Sequence, residues 1–256
     1  MPAVRRRQGG GRRSPLLPTS TACPPLIHPP YTLSTMLFYF AGPPCCNGTD
    51  YRAMMAGRRV LFSCGEHRRA AFAHPWPFAG AVLDSGAWSA ACGRPRPSID
   101  SYAEFLARSG HLFDWYASYD TIGDPIASTA AFRRLVAQGL SPVPVFHPGE
   151  PLSILDEYRA CSPIVALGSN PRLSRAERVA QLEDVFTLKP HKYHLFRASD
   201  PLLLALHPFS ADSSTWARAA SCGLVPGPGR SRVHCPDSTA ALRARLWVEH
   251  FGAMCA

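Results

Sequence analysis

Residues 81–87 read AVLDSGA, a short apolar run that ends in the carboxylate of Asp84 and continues into Ser-Gly. An uninterrupted apolar run before a polar turn is typical of a strand that is buried on both faces in a parallel sheet. Similar runs recur at residues 36–40, 60–63, 112–119, 143–147, 164–168, 192–196, 209–212 and 223–225. One of these nine segments is expected to be an extra or irregular piece.

Amphipathic stretches separate these runs. Residues 99–109 place apolar side chains at helical spacing before Gly110, and residues 127–138 do the same before Gly139. Ser174 and Glu177 have the spacing of a capping box that opens a helix through Phe186. Strands alternating with helices predict an α/β fold, specifically a TIM-type (β/α)8 barrel. About 200 residues is small for such a barrel, so short helices or an incomplete barrel are expected.

The chain divides into a tail and one domain. Residues 1–35 are rich in Arg, Gly and Pro and have no periodic pattern, which predicts a disordered tail. Five arginines lie there without an acidic residue, and removing them from the formal net charge of +9 leaves +4 for residues 36–256. A nucleic-acid-binding arm is one interpretation of the tail; translated upstream sequence or a solvated linker is favoured. The barrel domain is expected to span residues 36–256.

Composition and motifs also indicate the cellular compartment and the cofactors to expect. The nine cysteines have no framework spacing, which favours a reducing compartment. The sequence has no apolar run long enough for a membrane span, so a cytoplasmic protein without a membrane partner is expected. It also contains no phosphate-binding P-loop, no dinucleotide-binding glycine fingerprint and no esterase nucleophile elbow, so nucleotide cofactors are not indicated.

Four of the predicted strands end in a titratable side chain: Asp84, Asp120, His147 and Asp212. The carboxyl ends of parallel strands meet on one face of a barrel, so these groups are expected to share a mouth. Each aspartate alone is more often a helix N-cap, and Asp124, just before a proline and a helix, is predicted to be a plain cap.

A metal site is disfavoured. The only candidates are scattered ligands without a Cys-x-x-Cys pair, namely His191, His194, Cys222, His234 and Cys235. The sequence therefore predicts neither a metal nor a cofactor.

Five segments occur in a fixed order: Asp-Ser-Gly at 84–86, Asp120, His-Pro-Gly-Glu at 147–150, Ile-Val-Ala-Leu-Gly at 164–168, and Phe-Ser-Ala-Asp-Ser at 209–213. In these segments the sequence resembles the tRNA-guanine transglycosylase superfamily. It is most similar to the short phage and DNA-modification members that handle 7-deazaguanine bases. The resemblance covers about residues 36–220, and the segment at 147–150 separates the phage-type proteins from the transfer-RNA enzymes.

The resemblance implies a pentosyltransferase that exchanges guanine in nucleic acid for a 7-deazaguanine base. It implies Asp212 as the nucleophile, Asp84 as the acid/base and Asp120 as a contact to the base. The remaining substrate-binding positions that it implies are Ser85, Gly86, His147, Gly149, Leu167 and Gly168.

The sequence departs from the family in two ways that bear on function. The Cys-x-Cys-x-x-Cys and downstream His that hold zinc in the family are missing after Asp212. No zinc is therefore expected, and DNA is favoured over transfer RNA as the partner. Arg197 stands where relatives have small glycines, which is expected to narrow the base pocket. A nucleotide N-glycosidase that uses water as acceptor, and an inactive nucleic-acid-binding barrel, remain alternatives.

Overall fold

The computed structural model describes residues 36–42, 48–64, 74–170, 172–227, 231–235 and 237–254. The predicted tail, residues 1–35, lies outside them. The strands are β1 Leu37–Ala41, β2 Arg59–Ser63, β3 Gly80–Asp84, β4 Trp115–Tyr116, β5 Val145–Phe146, β6 Val165–Leu167, β7 Tyr193–Leu195, β8 Ser210–Ser213, β9 Leu224–Pro226 and β10 Arg232–His234.

The first eight strands form the parallel α/β barrel that the sequence predicts. They run in the order β4-β3-β2-β1-β8-β7-β6-β5, and neighbouring strands in this order pair in parallel. The two end strands, β4 and β5, meet at a single parallel bridge between Ala117 and Val143. The backbone N–H of Ser118 donates to the carbonyl of Val143 there, over 2.7 Å. The sheet therefore curls fully round, but its last seam is one bridge wide.

Helices connect and follow the strands, and several are short, as expected for a small barrel. They are α1 Gly48–Met55, α2 Ala87–Ala91, α3 Ile99–Ser109, α4 Pro125–Ala137, α5 Leu152–Cys161, α6 Arg175–Leu188, α7 Pro201–Leu204, α8 Thr215–Ser221 and α9 Ala240–Met254.

Local side-chain chemistry sets where the predicted helices begin. Asp124 caps α4, where its Oδ1 accepts from the N–H of Ala127 over 2.9 Å, and Pro125 occupies the first turn. Ser174 and Glu177 form the predicted capping box of α6. The plain cap role of Asp124 is thus confirmed, and so is the start of α6.

The core has two parts, as a barrel requires. The inner cluster fills the barrel with the side chains of Tyr39, Ala41, Leu61, Val82, Trp115, Ala117, Val143, Val145 and Ala166. The larger outer cluster lies between the strands and the helices, and α8 and α9 contribute Trp216 and Trp247 to it. Alternation along the strands separates the clusters: in β1, for example, Tyr39 and Ala41 belong to the inner cluster and Phe38 and Phe40 to the outer one.

Two predicted strands differ from the structure. The run 112–119 is wrong as a continuous strand, because residues 110–112 form a 3-10 turn and only Trp115–Tyr116 pair as β4. The ring of Tyr116 packs against Gly110, where a Cβ would lie 3.0 Å from Tyr116 Cε1, so the chain turns before it enters the sheet. The run 223–225 is the extra piece: β9 pairs antiparallel with β10 outside the barrel.

Candidate functional site at the carboxyl ends of the strands

Asp84, Asp120, His147 and Asp212 all lie at or just beyond the carboxyl ends of strands of one parallel barrel. Asp84 ends β3, Asp212 lies in β8, and Asp120 and His147 follow β4 and β5. The charges of Asp120 and Asp212 both act on Asp84, and the charge of Asp84 acts on His147. The structure thus brings together the four titratable groups that the sequence singled out.

The protonation of Asp84 is strongly perturbed. Burial, followed by the negative charges of Asp120 and Asp212, raises the pKa of Asp84 to about 7. The N–H of Gly86 and the charge of Arg96 oppose that rise. Gly86 has a φ of 87°, a left-handed conformation that favours glycine and starts α2 directly behind the carboxylate. Asp84 therefore exchanges its proton near neutral pH, which suits an acid/base.

Asp120 is held by two side chains that the sequence had assigned to substrate. Ser85 Oγ donates to Asp120 Oδ1 over 2.7 Å, and His147 Nε2 lies 3.0 Å from Asp120 Oδ2. Ser85 is fully buried, while Asp120 and His147 are 3% and 4% exposed. Ser85 therefore acts on Asp120 and does not face the open mouth.

The His147–Asp120 pair favours an imidazolium. Burial lowers the pKa of His147, but the hydrogen bond to Asp120 and the charges of Asp120, Glu150 and Asp84 outweigh it and raise the pKa above its ordinary value. The carboxylate of Glu150 also accepts from the N–H of His147 over 3.1 Å. A buried charge that is paired in this way is fixed in position.

Two glycines place the His147 ring. Gly149 has a φ of 98°, which closes the turn that brings Glu150 back to His147. A Cβ at Gly168 would lie 2.3 Å from His147 Cε1 and Nδ1, so only glycine leaves room for the ring. The structure does not bring the Leu167 side chain into this group, because it packs in the outer apolar cluster.

Asp212 is a buried carboxylate, 2% exposed, held from two directions. The backbone N–H of Arg197 donates to Asp212 Oδ1 over 3.0 Å, and His194 Nε2 lies 3.4 Å from the same oxygen. His194 is fully buried, and its Nδ1 lies 2.8 Å from Ser210 Oγ. Asp212 Oδ2 accepts no hydrogen bond from the described part of the chain, so only one of the two carboxylate oxygens is held by these contacts.

Two arginines that stack on aromatic rings lie near this mouth, and only Arg197 was considered for the site from the sequence. Arg96 donates from Nη1 to the carbonyl of Asp120 over 2.7 Å, and its guanidinium carbon lies 3.4 Å from the Tyr119 ring centroid. The Arg197 guanidinium carbon lies 3.5 Å from the Trp88 ring centroid in the same way. Loop arginines carry no periodic signal, so their positions depend on tertiary structure.

Within the described residues, no group of three His, Cys, Asp or Glu side chains is arranged to hold a metal ion. His194, which the sequence raised as a metal candidate, instead contacts Ser210 and Asp212. No helix in the described ranges is both long and apolar enough to cross a bilayer.

The class that the fold defines is the TIM-type α/β barrel. The sequence matches no protein-family model and no curated protein. Among solved structures, the chain is similar to a chain of the tryptophan synthase α2β2 complex from the hyperthermophile Pyrococcus furiosus, with a TM-score of 0.48 and 13% identity over 85% of this chain and 98% of that one. A second tryptophan synthase complex from the same organism gives 0.43 and 11%, over 84% and 97%. Likeness at this level carries no argument about activity.

Proposed function

We propose that the protein is a base-exchanging transglycosylase, a pentosyltransferase of the tRNA-guanine transglycosylase type that replaces guanine in nucleic acid with a 7-deazaguanine base. The supporting observation is a pair of strand-end aspartates with different surroundings at one mouth. Asp84 has a pKa raised to about 7, whereas Asp212 accepts a backbone N–H at one oxygen. Glycosyl transfer through an oxocarbenium-like state needs one carboxylate as nucleophile and one acid/base.

In the proposed reaction, a carboxylate oxygen of Asp212 attacks C1′ of the target nucleotide. The C1′–N9 bond breaks, its electron pair leaves with guanine, and Asp84 supplies a proton to the departing base. Asp84, now a carboxylate, takes a proton from the incoming base, whose nitrogen attacks C1′ and releases Asp212. A group with a pKa of about 7 can serve both half-reactions at neutral pH.

Asp120 is proposed to contact the edge of the base while it also pairs with Ser85 and His147. Each of its oxygens already has one partner, Ser85 or His147. A carboxylate oxygen can accept two hydrogen bonds, so each retains capacity for a donor on the base. The hydrogen bonds with Ser85 and His147 fix the orientation of the Asp120 carboxylate, and therefore the direction from which a donor on the base would approach it.

The proposed substrate is a strand in which the target base leaves its stack, either by flipping or because the strand is single. DNA is favoured over transfer RNA, because the sequence lacks the cysteine motif that holds zinc in the transfer-RNA enzymes.

The proposal is tested by offering guanine-containing DNA and transfer RNA to the purified full-length chain with an isotope-labelled 7-deazaguanine base. Incorporation of label is expected, with DNA preferred, and Asp212→Asn should abolish it. Asp184→Asn, on the exposed face of α6, is the matched control and should exchange normally. Release of guanine without added base would instead identify an N-glycosidase, and binding without release or exchange would identify an inactive barrel.

A further inference from the structure

A cavity of about 280 Å³ opens beside the strand-end carboxylates, between the segments that follow β6 and β7. Its lining includes Trp88, Asn170, Arg175, Arg178, Arg197 and Asp200. Three arginines and one aspartate therefore line one small space. The cavity is smaller than the roughly 300–1,000 Å³ typical of sites for drug-sized ligands, which favours a compact anionic group.

The charges in this cavity do not cancel. Asp200 is engaged by Arg175, whose Nη2 donates to Asp200 Oδ1 over 2.8 Å. Among the described residues, neither Arg178 nor Arg197 lies within ion-pair distance of a carboxylate. Two positive charges thus remain without a carboxylate partner among the described residues.

Arg178 is held in place by the backbone. Its Nη2 donates to the carbonyl of Phe196 over 2.6 Å, and Nη1 to that of Arg197 over 3.3 Å, while its Nε is buried without a partner in the described ranges. Burial and then the charge of Arg197 lower the pKa of Arg178, with Asp212 and Asp200 opposing. Holding two like charges together in this way is unfavourable unless an anion joins them.

Arg197 connects the cavity to Asp212. Its backbone N–H donates to Asp212 Oδ1 over 3.0 Å, while its guanidinium stacks on Trp88 and lines the cavity. The residue has a φ of 57°, a left-handed conformation that a non-glycine residue seldom adopts. Strain of this kind persists where the surrounding structure enforces it, commonly at functional sites.

We propose that this cavity binds a phosphodiester of the nucleic-acid strand, adjacent to the nucleotide whose C1′ meets Asp212. The inference rests on the proposed function for the identity of the strand. Arginine suits the role because its planar guanidinium matches phosphate oxygens with two parallel hydrogen bonds. Asn170 adds a neutral donor at the same wall. Arg197, which the sequence marks as an obstruction in the base pocket, thereby becomes a contact to the backbone of the substrate.

The test measures binding of a fluorescent single-stranded guanine-containing DNA to the full-length chain by anisotropy, at several salt concentrations. Loss of one phosphate contact lowers the slope of log K against log salt by about 0.7 on a single strand. Arg197→Gln and Arg178→Gln are each expected to show this decrease and to weaken binding about tenfold. Arg197→Lys keeps the charge and should keep the slope.

Arg133→Gln is the matched control, since Arg133 is exposed and paired with Glu157, away from the cavity. It should leave the slope unchanged. Arg178→Gln also removes hydrogen bonds to two carbonyls, so thermal unfolding is measured for each variant. Arg197→Gln, whose guanidinium makes no such bonds in the described residues, is decisive if Arg178→Gln proves unstable. A wild-type slope in Arg197→Gln would overturn the proposal.

Neutral methylphosphonate links placed singly beside the target guanine locate the contact. When the neutral link replaces the contacted phosphate, the wild-type protein and Arg197→Gln should bind the strand with equal affinity. If wild type still binds more tightly than Arg197→Gln with the neutral link at every tested position, the assignment is contradicted.

A second experiment tests deoxyguanosine monophosphate as a competitor of the strand. Competition by it as strong as that of the strand, with the same dependence on Arg197, would assign the cavity to a free nucleotide. Because these readouts need no turnover, a failed base-exchange assay and a failed cavity assignment are distinguishable.

Discussion

His147 Nε2 lies 3.0 Å from Asp120 Oδ2, with both side chains buried. Asp84 lies near enough for its charge to act on His147, and the charge of Asp120 acts on Asp84. His147 is paired with Asp120, whereas burial and the charges of Asp120 and Asp212 outweigh the charge of Arg96 and keep the proton on Asp84 up to about pH 7. One mouth thus holds a carboxyl group and an imidazole that both have raised pKa values, and perturbed groups of this kind are typical of acid/base sites.

Replacing Asp84 should change both activity and the pH dependence of stability. Asp84→Asn is expected to lower kcat by about a hundredfold or more, because an amide cannot shuttle a proton. Its wild-type pKa is raised to about 7 from 3.8, so the folded state binds more protons than the unfolded state between these values. Wild-type stability therefore falls as pH rises through that window.

Thermal unfolding at several pH values tests the predicted direction of this change in stability with pH. Asp84→Asn should be more stable than wild type at about pH 8, by about 1 kcal/mol or more, with the advantage lost near pH 4. Asp184→Asn, on an exposed surface, should show no such trend. An Asp84→Asn variant that is less stable than wild type at the higher pH would contradict the burial of a neutral Asp84.

The His147–Asp120 pair should have a pH dependence of the same sign as that of Asp84. The pKa of His147 is raised in the folded state, so its charge contributes stability that is complete below the ordinary histidine pKa and is lost as pH rises through the raised value. His147→Leu leaves Asp120 buried without that partner and should cost about 3 kcal/mol near pH 6. Chemical denaturation at several pH values measures this loss of stability in His147→Leu. A loss that increases as pH rises would contradict the ion pair.

Gly168 should not tolerate a methyl group. A Cβ there would lie 2.3 Å from two atoms of the His147 ring, which would displace the ring from Asp120. Gly168→Ala is expected to cost about 1–3 kcal/mol in stability and to reduce base exchange. Gly252→Ala in α9 is the control, since its Cβ meets only the flexible end of Arg58. Equal stability of the two variants would show that the ring can move freely.

The sequence predicts the eight-stranded parallel architecture because each strand is a short apolar run followed by a polar turn, as in residues 81–87. Side chains that follow directly on a strand, such as Asp84 and His147, can be assigned to the mouth for the same reason. Arg96 and Arg178 could not be placed, because their positions depend on packing against residues distant in sequence, such as Tyr119 and Phe196. Strand alternation turns the Leu167 side chain to the outer core, so only its backbone remains at the mouth side of the strand end.

The most direct measurement is to trap and map the covalent intermediate. Full-length protein is mixed with guanine-containing DNA and the 7-deazaguanine base, denatured rapidly, digested and sequenced by mass spectrometry. A nucleotide adduct is expected on the peptide that contains Asp212, and it should be absent in Asp212→Ala and present in Asp184→Asn. An adduct that persists in Asp212→Ala, or that maps to another residue, would contradict the assignment of Asp212 as the nucleophile.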